Sequence, residues 1–166
     1  MTGSGPVRGR VRGTVPFSAV DGPGSRYVVF LQGCGFDCLT CHNPATIPKR
    51  PPRVAPRTVT EVVDPIADAA PFLSGVTVTG GEPTVQAGFT HALLTELAAR
   101  PATAGLHRLL DSNGDAPVEV WARLTEVCDG VVLDLKALDP QIHYVLTGRS
   151  NARVVTALRY LAGRGR

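Results

Sequence analysis

LQGCGFDCLTCHNP, residues 31–44, places three of the chain's four cysteines in one loop, with the spacing C-x₃-C-x₂-C. An apolar, β-branched run at residues 27–31 leads into the loop and predicts a strand. Cys34, Cys38 and Cys41 could then each bind one iron of a cubane cluster at the end of that strand. Because such clusters normally have four cysteine ligands, a three-cysteine loop predicts one open iron that binds something else.

Three other uses of these cysteines have to be weighed. A structural zinc site would need His42 beside Cys41, and adjacent residues rarely both reach one tetrahedral ion. Residues 38–42 also match the C-x-x-C-H motif of c-type haem attachment, but that use needs export and leaves Cys34 unexplained, and no signal peptide is visible. Structural or disulfide cysteines fit poorly with tight spacing on a glycine-flanked loop. The open cluster is the favoured interpretation.

Size and charge are those of an ordinary globular domain. The chain has 166 residues, enough for one domain with a real core, and a formal net charge of only +3. Arg8, Arg10 and Arg12 form the one dense basic group, and the intervening glycines predict a flexible, solvated tail over residues 1–12. No apolar run approaches the length of a membrane span. We therefore expect one domain over residues 13–166, located in the cytoplasm, without nucleic-acid or membrane partners.

Segments of strand type alternate with segments of helix type along the chain. Strands are predicted at residues 27–31, 75–79, 106–110 and 130–136, with helices near 58–70, 87–100, 117–127, 140–146 and 154–161. Thr58 and Glu61 resemble a capping box for the first helix, which Pro65 should kink or restart. Residues 44–56 are expected to form an extended surface connection. The alternation predicts an α/β fold of parallel strands, with the fourth strand as an exposed edge.

Polar residues follow all four predicted strands. They are the cysteine loop, Gly-Gly-Glu at residues 80–82, Asp-Ser-Asn-Gly at residues 111–114, and Asp134 with Lys136. Each group alone is as well explained by a turn, a helix cap or a salt bridge. The ends of parallel strands meet at one edge of the sheet, where ligands bind in such folds. Together the groups therefore predict a single site.

Within that site the residue types suggest specific contacts. Glu82 could accept a hydrogen bond from an ammonium group, Asp111 could hold a ribose, and Lys136 could pair with a carboxylate. No motif surrounds His91, His107 or His143, which are expected to be ordinary residues, and the lone Cys128 is expected to be a buried core thiol.

These motifs together resemble a known family. The cysteine loop followed by Gly-Gly-Glu-Pro resembles the radical S-adenosylmethionine superfamily. Further motifs are similar to those of the glycyl-radical-enzyme activating enzymes, of the pyruvate formate-lyase activase type, and lie at residues 21–26, 30–34, 41–43, 111–114, 134–136 and 146–151. The resemblance runs from about Thr14 to the last helix, and the motifs are specific in combination.

The resemblance implies a partial (β/α) barrel with two cofactors, a [4Fe–4S] cluster and S-adenosylmethionine. Cys34, Cys38 and Cys41 would hold the cluster, whose open iron would bind the amino and carboxylate groups of S-adenosylmethionine. One electron would then release methionine and a 5′-deoxyadenosyl radical, which takes hydrogen from a glycine of a partner glycyl radical enzyme. The resemblance also implies an anaerobic reaction and an electron donor such as flavodoxin or ferredoxin.

The family pattern also assigns the contacts to S-adenosylmethionine. They fall into three groups: Thr40, Cys41 and His42 at the adenine; Gly80, Gly81 and Glu82 at the methionine end; Asp111, Asp134, Leu135 and Lys136 on the ribose and methionine side. Thr40 departs from the pattern, because an aromatic residue is usual there and adenine stacking must be weaker or come from elsewhere. No second cysteine cluster is present in the sequence.

The length of the chain leaves alternatives open. It ends at Arg166, so we expect the barrel to lack its last strand–helix units. One alternative function is another radical S-adenosylmethionine enzyme that acts on a small molecule or a peptide. The other is a cluster-binding remnant without catalysis.

Overall fold

A computed structural model describes residues 5–51 and 53–165, and in these ranges it contains six strands and five α-helices. The strands are β1 (Arg8–Ser18), β2 (Arg26–Leu31), β3 (Pro56–Thr58), β4 (Gly75–Gly80), β5 (His107–Ser112) and β6 (Gly130–Leu133). The helices are α1 (Val59–Ala69), α2 (Ala87–Ala99), α3 (Val118–Leu124), α4 (Pro140–Thr147) and α5 (Ala152–Ala162). Short 3₁₀ turns lie at Pro44–Thr46, Ala70–Phe72 and Pro83–Gln86. No helix in these ranges has both the length and the apolar character needed to cross a bilayer.

The strands form one sheet in the order β3-β1-β2-β4-β5-β6. The four strands from β2 to β6 along this order are parallel, as the strand–helix alternation predicts. Leu31 pairs with Gly80, and Ser112 pairs with Leu133, so these strands end at the same edge of the sheet. The predicted α/β partial barrel is thus confirmed in its parallel strands, and β6 lies at the edge of the described sheet.

Two antiparallel strands, β1 and β3, were not expected. The prediction of a flexible tail is wrong for residues 8–12, which belong to β1 and pair with both β2 and β3. Basic residues at alternate positions face outward, while Val11 between them is buried in the core. Gly9 packs so closely that a Cβ there would lie 2.3 Å from the Phe89 ring. Residues 1–4 of the expected tail lie outside the described residues.

Helix α1 begins as its sequence predicts. Thr58 accepts a hydrogen bond from the Glu61 backbone N–H, and the Glu61 carboxylate accepts one from the Thr58 N–H. The helix continues through Pro65, so of the two alternatives, a kink or a restart, the restart is wrong. Asp64, directly before this proline, pairs with Arg100 at the end of α2 at 2.7 Å.

The core lies between the sheet and the helices on its outer face. The fully buried side chains include Leu31, Val78 and Leu110 from the strands and Leu94 and Trp121 from the helices. Cys128 is buried among them, as expected of a core thiol. The core therefore fixes the strands from one face and leaves their carboxyl ends free to form a site.

The segment after the cysteine loop is less extended than predicted. Pro44–Thr46 forms a 3₁₀ turn, and the Thr46 side chain is fully buried. Its hydroxyl donates to the Asn43 carbonyl at 2.7 Å. The turn folds the segment back against the loop that it follows.

Candidate functional site

The cysteine loop leaves β2 and is held by backbone hydrogen bonds on two sides. On one side the Gly33 and Cys34 N–H groups donate to the carbonyls of Thr46 and Ile47, at 2.7 and 3.0 Å. On the other side the Asp37 and Leu39 N–H groups donate to carbonyls at the end of α4, at 3.1 and 2.9 Å. The loop backbone is thus fixed in place by the protein itself.

Helix α4 also supports the loop through a buried histidine. His143 is fully buried, meets the Phe36 ring edge to face at 5.4 Å, and has Nδ1 3.0 Å from the Arg149 carbonyl oxygen. His143, which was expected to be an ordinary residue, therefore has a structural position behind the loop. This contact with the cysteine loop could not be predicted from local patterns, because the ring partner of His143 lies more than a hundred residues earlier.

The glycine pair after β4 permits close contact with the cysteine loop. Gly80 has φ of +116°, and a Cβ there would lie 2.2 Å from the Leu31 nitrogen. A Cβ on Gly81 would lie 2.3 Å from the Gly33 carbonyl oxygen and 2.7 Å from that of Thr46. Real Cβ atoms do not approach other atoms so closely, so both positions require glycine. At both positions an added Cβ would meet protein backbone.

Glu82 is directed into the protein rather than toward the pocket. It is 1% exposed, and its carboxylate accepts hydrogen bonds from the Thr84 N–H and hydroxyl, the Ser112 hydroxyl and the Asn113 N–H, at 2.7–3.0 Å. Burial raises the pKa of Glu82, and these hydrogen bonds oppose that effect. The carboxylate therefore ties the end of β4 to the end of β5.

A pocket opens at the edge where the parallel strands end. Nine of the residues expected in the site line it: Cys34, Cys38, Cys41, His42, Gly80, Gly81, Asp111, Asp134 and Lys136. Three expected residues do not line it, namely the exposed Thr40, the half-buried Leu135 and the buried Glu82. Three residues outside the expected set do, namely Thr79, Ser112 and Asn113. Ser112 and Asn113 lie in the turn already singled out, whereas Thr79 could have been found only from its inward position on β4.

Two acidic side chains line one part of the pocket. Asp111 accepts a hydrogen bond from the Thr79 hydroxyl at 2.8 Å. Burial raises the pKa of Asp111, the hydrogen bond lowers it, and the neighbouring charges of Asp134 and Asp21 raise it again. Because both carboxylates face the same pocket, they favour a ligand with hydroxyl or cationic groups.

Lys136 places a positive charge beside the cysteines. It forms an ion pair with Asp134. Burial lowers the pKa of Lys136, but Asp134, Cys38 and Cys41 raise it and outweigh burial. Burial raises the pKa of the Cys38 thiol while Lys136 lowers it, and burial raises the pKa of the Cys34 thiol to about 11. Lys136 can therefore offset negative charge that gathers on the cysteine sulfurs.

The donor set suits a cluster better than a single ion. Among the described residues no three His, Cys, Asp or Glu side chains converge on one point where they could hold a metal ion. A cubane cluster needs no such convergence, because each thiolate binds a different iron. Cys34, Cys38 and Cys41 line one pocket and could hold such a group.

Comparison with known proteins agrees with this arrangement. The family model described as "Radical SAM superfamily" matches residues 28–166. The chain belongs to the radical SAM superfamily. The resemblance drawn from its motifs is thereby confirmed, and the family implies an iron–sulfur cluster and S-adenosylmethionine.

Several curated relatives share a more specific name. Enzymes named pyruvate formate-lyase-activating enzyme from Streptococcus mutans, Listeria monocytogenes and Staphylococcus aureus are 37%, 38% and 35% identical to this radical SAM chain. The matches cover 96%, 93% and 94% of this chain, which spans 63–64% of the length of these relatives. A solved structure of QueE from Escherichia coli is similar over 64% of this chain and 53% of its own, with 16% identity and a TM-score of 0.49.

Proposed function

We propose that this radical SAM chain is a glycyl-radical-enzyme activating enzyme, with a [4Fe–4S] cluster held by Cys34, Cys38 and Cys41. The observation that carries the proposal is the shared pocket, in which the three cysteines meet the polar ends of three further parallel strands. The motifs and the names of the relatives support the same function. When bound, the two cofactors would supply an electron and a 5′-deoxyadenosyl radical that takes hydrogen from a glycine of the partner enzyme.

Different pocket side chains would contact different groups of S-adenosylmethionine. Asp111 and Asp134 offer carboxylates that can accept hydrogen bonds from ribose hydroxyls or an ammonium group, and they favour the positive sulfonium electrostatically. Lys136 pairs with Asp134 and lines the same pocket as the cysteines, so it could pair with a carboxylate of the ligand. His42 is exposed at the rim and is available to pack against the adenine. Thr40 and Leu135 lie outside the pocket lining, so we propose no direct contact for them.

The proposed electron donor, flavodoxin or ferredoxin, would meet a basic segment beside the cysteine loop. Between Cys38 and Thr60 the sequence contains no acidic residue, whereas Lys49, Arg50, Arg53 and Arg57 are basic. This segment adjoins the loop directly, because the Cys34 N–H donates to the Ile47 carbonyl. An acidic donor protein would be attracted to this side, and the rate of cluster reduction should then fall as salt is raised.

Anaerobic reconstitution tests the proposed function. The protein is loaded with iron and sulfide, reduced with dithionite and mixed with S-adenosylmethionine, and 5′-deoxyadenosine is quantified by chromatography. A glycyl radical enzyme is then added, and its glycyl radical is measured by electron paramagnetic resonance. We expect both products from the parent protein and neither from Cys38→Ala.

The outcomes separate the competing functions. Formation of 5′-deoxyadenosine without a glycyl radical on any partner tested would favour a small-molecule or peptide substrate. A loaded cluster that yields no 5′-deoxyadenosine would contradict the proposal and leave a cluster-binding remnant.

A further inference from the structure

The cysteine sulfurs are not equivalent, because Cys34 accepts two N–H···S hydrogen bonds. The Phe36 backbone N–H lies 3.4 Å from its Sγ, and the side-chain Nδ2 of Asn113 lies 3.5 Å from it. Among the described residues, no N–H group donates to the sulfur of Cys38 or Cys41. Asn113 is thus the side chain that distinguishes the first cysteine from the other two.

The orientation of Asn113 is set by its other bonds. Its backbone N–H donates to the Glu82 carboxylate at 2.8 Å, and its Oδ1 accepts from the Asp115 N–H at 2.9 Å. Because the amide oxygen is occupied in this way, the NH₂ group must face the sulfur. Asn113 is also 9% exposed, so little water competes for that bond.

Hydrogen bonds to a cysteine ligand affect the electron affinity of a cluster. Reduction adds negative charge that spreads onto the sulfurs, and an N–H donor stabilises that charge. The buried Glu82 carboxylate and the Cys34 sulfur both contact Asn113, at 2.8 and 3.5 Å. Asn113 stands between these two groups, since it binds the carboxylate through its backbone and the sulfur through its side chain.

We infer that Asn113 is a positioning residue that fixes the Cys34 sulfur and raises the reduction potential of the bound cluster. The inference rests on the proposed function, which supplies the cluster. It also gives the Gly-Gly-Glu motif a purpose that the sequence did not suggest: Glu82 holds the turn that presents Asn113 to the cluster.

Two variants remove the donor in different ways. Asn113→Ala deletes the amide, whereas Asn113→Asp keeps an oxygen for the Asp115 N–H and places negative charge against the sulfur. Asn151→Ala is the matched control, because Asn151 is also a buried asparagine, at 5% exposure, whose amide donates only to the Ala137 and Leu138 carbonyls.

Each reconstituted protein is titrated with reductant under electron paramagnetic resonance, without S-adenosylmethionine. Iron–sulfur stretching frequencies are recorded by resonance Raman spectroscopy.

The expected result is an order of potentials, with the parent highest, Asn113→Ala lower and Asn113→Asp lowest. Asn151→Ala should match the parent. The iron–cysteine stretching frequencies should rise in both Asn113 variants, because the lost hydrogen bond no longer weakens an iron–sulfur bond. A merely structural role would move neither quantity.

The remaining outcomes also decide the question. Parent-like potentials and frequencies in both loaded Asn113 variants would overturn the inference while leaving the proposed function intact. Failure of the parent to load a cluster would instead contradict the proposed function. If Asn113→Asp loses the cluster but keeps the thermal stability of the apoprotein, Asn113 positions Cys34, as inferred. Loss of both would assign Asn113 to the fold alone and overturn the inference.

Discussion

The two ends of the parallel strands both carry charged side chains, but they use them differently. At the amino end, Arg26 is 1% exposed and donates to the Thr77 hydroxyl and the carbonyls of Val76 and His107. At the carboxyl end, Cys38, Cys41 and Lys136 are only half-buried and face an open pocket. At the amino end the charged groups are bound within the protein, whereas at the carboxyl end the cysteines and Lys136 line a pocket.

An ion pair at the amino end is likewise bound within the protein. Arg108 binds Asp129 through two nitrogens, at 2.8 and 3.0 Å, and joins the start of β5 to the segment before β6. The hydrogen bond from Arg108 lowers the pKa of Asp129, and burial opposes it. Charged side chains at the amino end therefore stabilise the fold, whereas those at the carboxyl end line the proposed site.

The largest expected effect is at the carboxyl end. Cys38→Ala should lose essentially all cluster iron, because the remaining two thiolates cannot hold a cubane with one open iron. Cys128→Ala is the control, since Cys128 is a core thiol and its loss should lower stability but not iron content. Iron and sulfide analysis after reconstitution measures both. If Cys38→Ala retains as much iron as the parent, the cysteine loop does not hold the cluster.

The next effect is at the amino end. Arg26→Met should lower the free energy of unfolding by about 3 kcal/mol, because several buried acceptors lose their donor. Iron content after reconstitution at low temperature should stay at the parent level. Urea denaturation of the apoprotein gives the stability. If Arg26→Met loses the cluster while the protein keeps its stability, Arg26 supports the site rather than the fold, which would contradict the distinction between the two ends.

Gly81→Ala tests whether the carboxyl end also has a structural requirement. The added Cβ meets the Gly33 and Thr46 carbonyls, so we expect a loss of about 2 kcal/mol and a displaced cysteine loop that loads less iron. Gly88→Ala is the matched control in α2, where a Cβ meets no atom within 4 Å and should stabilise the helix slightly. Parent-like stability and iron in Gly81→Ala would show that the contact with the loop is unimportant.

The smallest expected effect concerns Asp129. Its pKa is lowered in the fold, so the stabilisation is fully present above the ordinary carboxyl pKa of about 4 and is lost as the pH falls through the lower folded value. Asp129→Asn should therefore destabilise the protein by about 1 kcal/mol at neutral pH and progressively less in acid. Urea midpoints of parent and variant across that range measure the difference. A difference that grows in acid would contradict the ion pair.

Local sequence patterns predicted the parallel strands and the place of the site. Apolar runs marked β2, β4, β5 and β6, and the rule that such strands end at one edge brought together nine of the expected residues. Strands β1 and β3 were missed because Arg8, Arg10 and Arg12 resemble a solvated tail, and only pairing with distant segments makes them a strand.

The finer contacts of the site depend on residues far apart in the sequence. Glu82 turns inward because Ser112 and Asn113, about thirty residues later, offer it hydrogen bonds. Position 81 must be glycine because a Cβ there would meet the Gly33 carbonyl oxygen. The side-chain amide of Asn113 donates to the sulfur of Cys34, 79 positions earlier. Spacing within a motif carries no information about such partners, which explains why the inward direction of Glu82 and the contact of Asn113 with Cys34 were not predicted.

The most direct test of the functional end is the spectrum of the reduced cluster with and without S-adenosylmethionine. The protein is reconstituted anaerobically, its iron and sulfide are counted, and its electron paramagnetic resonance spectrum is recorded before and after the cofactor is added. We predict four irons per chain and a spectrum that changes on addition, because the cofactor binds the iron that no cysteine holds. A full cluster whose spectrum does not respond to saturating S-adenosylmethionine would contradict the account.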